Sequence, residues 1–176
     1  GNHIASLIIN NYEGKINLVG FYSEEFVGNI KGGCNFEIDT ATLGVLSKKN
    51  TELPKNVYED LYGEAKAERH NDKKKELSSF YIDYVIRDNE GNIFLLAEEF
   101  YETTHYVSTG MNGAGYWRTT FHFDDILILK FDINGNISWG RSVFKRATTP
   151  SYNAFLKNNE LHIILNSGKN LTEKND

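Results

Sequence analysis

The sequence predicts an all-β protein built from antiparallel, four-stranded meander sheets stacked as propeller blades, with one short helical insert. Three observations carry this. A turn-plus-strand unit recurs along the chain, the middle strands read as unbroken apolar runs, and the composition favours strands and tight turns. Aromatic residues make up 13% of the chain, and fifteen glycines punctuate it. Both features suit pleated sheet better than helix.

The recurring unit is a polar turn followed by an apolar run. Asn11-Tyr12-Glu13-Gly14-Lys15-Ile16-Asn17-Leu18-Val19-Gly20 aligns without a gap on Asp88-Asn89-Glu90-Gly91-Asn92-Ile93-Phe94-Leu95-Leu96-Ala97. A third copy runs from Lys157 to Leu165. Apolar segments at Ile4–Ile9, Phe80–Ile86 and Tyr152–Leu156 precede the three turns, so each unit opens with a hairpin. A second hairpin follows in two of them. Asp125 to Trp139 is one, and Gly33–Asp39 with Val45–Ser47 is the other. Strands are expected at about 4–11, 15–23, 33–39, 80–88, 92–101, 125–132, 136–144, 152–157 and 161–166.

Ile126 to Leu129 and Ile93 to Ala97 are continuously apolar, whereas a strand with one wet face alternates. These middle strands are therefore expected to be covered on both faces. The strand from Ile137 to Phe144 carries Ser138, Arg141 and Ser142 and should lie nearer solvent. One segment departs from the pattern. Asn56 is placed to cap a helix, with Glu59 three residues on and Val57, Leu61 and Ala65 on one face, which predicts a helix over about 57–68. A charged, mobile stretch to Glu76 should follow.

The Asp125–Trp139 strand–turn–strand segment resembles the repeats of bacterial β-propellers, of the seven-bladed and quinoprotein-like kinds. The match covers about fifteen residues. The first unit departs from it in a longer Asp39–Gly44 turn and in having Lys48 near the place of Trp139. The resemblance implies a first blade over about 1–53, the insert at about 54–79, a second blade over about 80–147, a half blade at about 150–168 and a disordered tail at 169–176. It also implies a bacterial, secreted or envelope setting, periplasmic or at the cell surface. Two and a half blades cannot close a ring, so the chain is expected to belong to a longer protein or to self-associate through exposed blade faces.

Composition limits the function. The net charge is −5. Lysines 73–75 sit among acids, which gives no basic face for nucleic acid. No membrane span is legible. Cys34 is the sole cysteine, so no disulfide can form within the chain and no cysteine-based zinc site exists. His105 and His122 could converge across the 101–124 segment as a metal set, with Asp124 and Asp125 beside His122, but they lack metal-ligand spacing, and no cofactor motif appears. Glu98-Glu99 and Glu24-Glu25 are adjacent acids, which point to opposite faces of a strand and cannot form a glycosidase dyad.

Meander connectivity places the tight turns at one end of the sheets and the long connections at the other. Function is expected on that second end. The 101–124 loop is its most distinctive part, and the candidate ligand-binding residues are His105, Tyr106, Tyr116, Trp117 and Arg118. Aromatic faces with polar tips suit a protein or glycan partner. The alternative is that these aromatics fold back and pack the blade, with the loop itself extending the hairpin. The reading is a non-enzymatic binding or scaffold module, with a carbohydrate-active or other hydrolytic propeller as the runner-up.

Overall fold

A computed structural model describes residues 2–72, 76–110 and 113–166. The first meander comprises β1 (His3–Tyr12), β2 (Lys15–Ser23), β3 (Gly32–Asp39) and β4 (Val45–Glu52). Two helices follow, α1 (Lys55–Tyr62) and α2 (Glu64–Asp72). The second meander comprises β5 (Phe80–Arg87), β6 (Ile93–Ser108), β7 (Gly115–Phe131) and β8 (Ile137–Val143). A hairpin of β9 (Tyr152–Lys157) and β10 (Glu160–Leu165) completes the described chain. Sheet orders are β1-β2-β3-β4, β5-β6-β7-β8 and β9-β10, and every strand pair is antiparallel.

The three sheets stack face to face in chain order, and the second lies between the others. Ile93, Leu95 and Ala97 of β6, with Leu127, Leu129 and Phe131 of β7, share a core with Val19 and Phe21 of the first sheet. Phe94, Leu96, Ile126 and Ile128 point the other way, onto Ala154, Leu161, Ile163 and Leu165 of the third. Strand alternation delivers this, because an unbroken apolar run supplies both faces at once. The stacking repeats in the aligned positions. Leu161, Ile163 and Leu165 occupy the places of Ile93, Leu95 and Ala97, and each set faces the preceding sheet. Burial of the central residues is complete at Leu95, Leu96, Leu127 and Leu129.

First strands approach one another across the stack. Arg87 of β5 donates to Asn17 Oδ1 at 2.7 Å and lies 4.7 Å over the Tyr12 ring of β1. On the other side of β5, Tyr152 donates to Asp83 Oδ2 at 2.7 Å. Helix α1 lies beside β8, the fourth strand of the second sheet. Gly140 of β8 packs closely there: a Cβ would lie 3.1 Å from the side chains of both Pro54 and Val57. Asp60 accepts two hydrogen bonds from the Arg141 guanidinium, at 2.7 and 2.8 Å, and a third from the Ser142 amide.

The helical insert differs from expectation in detail. Asn56 is not its cap. The helix starts two residues earlier, at Lys55, with Pro54 at the cap position and no side-chain cap bond. Gly63, at φ 77°, then divides the expected single helix in two. Helix α2 runs to Asp72, and residues 73–75 of the expected mobile stretch lie outside the described residues. So does the expected tail at 169–176. The larger correction concerns residues 101–124. Most of them are strand and extend the hairpin, as in the alternative reading: β6 continues to Ser108 and β7 begins at Gly115, in one unbroken register from Phe100↔Phe123 to Ser108↔Gly115. Thr, Tyr, Phe and Trp dominate this stretch, and all favour strand.

Candidate functional site

Tight turns cluster at one end of the stack. Asp39, Asp88 and Asp132 each begin a turn and accept two backbone N–H groups from the residues that follow. This is the local turn chemistry that aspartate favours. Burial pushes the Asp88 carboxyl up, but the hydrogen bonds from Asn92 and Glu90 outweigh it and leave Asp88 below its ordinary value. Neighbouring turns touch, as where the Asn89 amide donates to Asn159 Oδ1 at 2.8 Å. The turns therefore need no ligand to explain their acids.

The opposite end carries the β6–β7 arm. From Phe100 outward the two strands have only each other, since β5 pairs no further than Glu99 and β8 no further than Ile126. Backbone bonds pin the base, Phe100 N–H to Ser79 O at 2.8 Å and Phe123 N–H to Ala147 O at 2.9 Å. A two-stranded ribbon exposes both faces, so its side chains are displayed unless something covers them.

Register sorts the arm into two faces, because directly paired residues in an antiparallel ladder share a side. One face carries Phe100, Tyr106, Trp117, Phe121 and Phe123. Its base is an aromatic cluster, with the Phe100 and Phe123 rings 4.9 Å apart and Phe121 stacked on Phe100 at 6.3 Å. At its tip Tyr106 meets Trp117 edge-on at 5.4 Å and donates to Gly113 O at 3.0 Å. Trp117 is 70% exposed and Tyr106 47%. The other face carries Tyr101, Thr103, His105, Tyr116, Arg118 and His122.

The five sequence-expected residues are thus split. Tyr106 and Trp117 stand on one face, while His105, Tyr116 and Arg118 stand on the opposite one. They do not form one constellation. Phe121 and Phe100 complete the Trp117 face, and parity along 117, 119 and 121 is the signal that finds Phe121. His105 and His122 do not converge either. His122 pairs with Tyr101, four residues from His105 along β6, which is about 13 Å of strand. His122 instead stacks on Tyr101 at 4.5 Å and contacts Thr103 Oγ1 at 2.8 Å. Among the described residues, no three His, Cys, Asp or Glu side chains cluster to hold a metal.

Charge at the arm's base is paired. Asp124 is buried, accepts from the Tyr101 hydroxyl at 2.9 Å and meets the Arg146 guanidinium. Burial, with the Asp124 carboxylate second, pushes the Tyr101 phenol up to about 12. On the other face, a small pocket of about 240 Å³ lies between Tyr81, Phe100, Phe123, Asp83 and Glu98. Its acids are engaged, Asp83 with the Tyr152 hydroxyl and Glu98 with Lys145 at 2.6 Å. Burial raises the Glu98 carboxyl, against the pull of Lys145. Neither acid stands as a free nucleophile or base opposite the other.

The fold and site define an antiparallel all-β protein of stacked meanders with a projecting aromatic ribbon. This chain matches no family model, curated protein or solved structure.

Proposed function

We propose that the chain is a non-enzymatic binding module of the β-propeller type, which presents the Trp117 face of its β6–β7 arm to a protein or glycan partner. The carrying observation is the exposure of Trp117 and Tyr106 on a ribbon whose two strands, among the described residues, pair only with each other beyond Phe100. Large, stiff aromatic side chains give contact area at small entropic cost, and Trp and Tyr dominate binding hot spots. Phe100, Phe121 and Phe123 extend the face towards the body of the protein. The phenylalanine-rich base favours a polypeptide partner over a sugar, since it offers area without hydrogen bonds.

The propeller reading rests on the stacking. Each sheet turns the same face to its predecessor, and the first strands draw together while α1 lies beside β8. A bacterial, secreted or envelope setting comes from the repeat resemblance alone. No helix among the described residues is long and apolar enough to cross a membrane.

The test uses protein and glycan arrays probed with the wild-type chain, Trp117→Ala and Arg118→Ala. Loss of the tryptophan should weaken the specific interaction by about 2 kcal/mol or more. Arg118→Ala, on the opposite face, should leave it nearly unchanged. Equal binding by wild type and Trp117→Ala on every spot would remove the arm as the site.

A further inference from the structure

The third sheet differs from the other two in the place beside its second strand. In the first sheet β2 is followed by β3, and in the second β6 is followed by β7. Among the described residues, the corresponding edge of β10 pairs with no strand. A cleft of about 560 Å³ lies in that place. Phe94, Ile128, Lys130 and Trp139 of the second sheet form its floor, and Leu161 and Ile163 of β10 form its wall. Trp139 remains 42% exposed there.

What belongs in such a place is visible one sheet earlier. Over the first sheet the position is filled by β7, whose Leu127, Leu129 and Phe131 are all fully buried. The packing is tight enough that a Cβ on Gly33 would come within 2.6 Å of the Phe131 ring. Aligned on their turn aspartates, Asp39 and Asp132, Asn35 of the first sheet corresponds to Ile128 of the second. At this position the floor that receives the next strand is polar in one stack and apolar in the other. An apolar floor next to an open row of β10 backbone groups is what strand addition requires.

We propose that the β10 edge and this cleft take up an extended polypeptide strand, antiparallel to β10, with three apolar side chains at alternate positions. The pattern is that of β7. Backbone bonds to β10 supply alignment, and the alternate side chains replace water over Phe94, Ile128 and Trp139. The site is separate from the arm, and it stands or falls independently of the arm's role.

The experiment uses the whole chain carrying Trp117→Phe, which leaves Trp139 as the single tryptophan. The probe is a synthetic peptide with the sequence of residues 124–132 and a short lysine tail for solubility. Saturable blue-shifted Trp139 emission is expected, together with slowed amide exchange over Leu161–Leu165. A peptide N-methylated along its pairing edge keeps the side chains but cannot pair, and should bind about tenfold or more weakly. A composition-matched scrambled peptide should behave likewise. Unchanged emission and exchange would overturn the proposal, as would equal binding of the N-methylated or scrambled peptide, which marks a merely greasy cleft. Protection of β10 in the peptide-free chain that grows with protein concentration would also overturn it, in favour of a second copy on that edge.

Discussion

Lys145 Nζ lies 2.6 Å from Glu98 Oε1 in the seam between the second and third sheets, and neither side chain is appreciably exposed. The ammonium also donates to Phe123 O at 2.7 Å and Ser151 Oγ at 3.0 Å. The ammonium thus has one carboxylate as its ion-pair partner and two hydrogen-bond acceptors. The network ties Glu98 of β6 and the middle of β7 to the β8–β9 connection.

A buried ion pair is costly to break from one side, because the remaining charge stays desolvated. Lys145→Met should destabilise the chain by about 3–5 kcal/mol in urea unfolding. The double variant Lys145→Met/Glu98→Gln should recover part of that loss. A loss under about 1 kcal/mol for the single variant would show that the pair is hydrated in solution.

Glu98 also makes stability depend on pH. Its folded carboxyl holds the proton more tightly than in the unfolded chain, chiefly through burial. Between the ordinary carboxylate value of about 4 and the raised folded value, the unfolded state has released a proton that the folded state keeps. Its contribution is complete below about pH 4 and is lost as pH rises through the folded value. Glu98→Gln should therefore flatten the decline of stability with rising pH in this window. An identical pH profile for both proteins would contradict the assignment.

The stacked core predicts a graded response to truncation. Leu129→Ala, between the first and second sheets, should cost about 2–5 kcal/mol. Ile164, 63% exposed on the outer side of β10, should tolerate Ala within about 1 kcal/mol. Comparable losses at both positions would mean that the outer face of β10 is covered in solution.

Cys34 is fully buried, and burial pushes its thiol up to about 12. The thiolate is the reactive form, so native Cys34 should resist thiol reagents at neutral pH. Its labelling rate should report global unfolding. Rapid labelling under native conditions would place the outer face of the first sheet in frequent local opening.

Much of the fold is legible in the sequence. Alternation and repeated turns locate the strands to within a residue or two over 15–23, 80–88 and 152–157, since the periods of burial and of the pleat coincide there. The continuous runs at Ile93–Ala97 and Ile126–Leu129 announce burial on both faces. Residues 101–124 are harder, because an exposed ribbon has no buried face to impose alternation, and Gly110 to Gly115 reads as a loop whatever flanks it. The candidate site suffers for the same reason. Tyr116 and Trp117 are neighbours in sequence, and only the pairing register reveals that they point apart.

The central claim is that the Trp117 face serves recognition and does not hold the fold together. Urea unfolding of Trp117→Ala beside the wild type tests it most directly, because it needs no partner. Exposure on a free ribbon predicts stabilities within about 1 kcal/mol of each other. A loss of about 3–5 kcal/mol, the cost of deleting a core aromatic, would contradict the account and make the arm part of the scaffold.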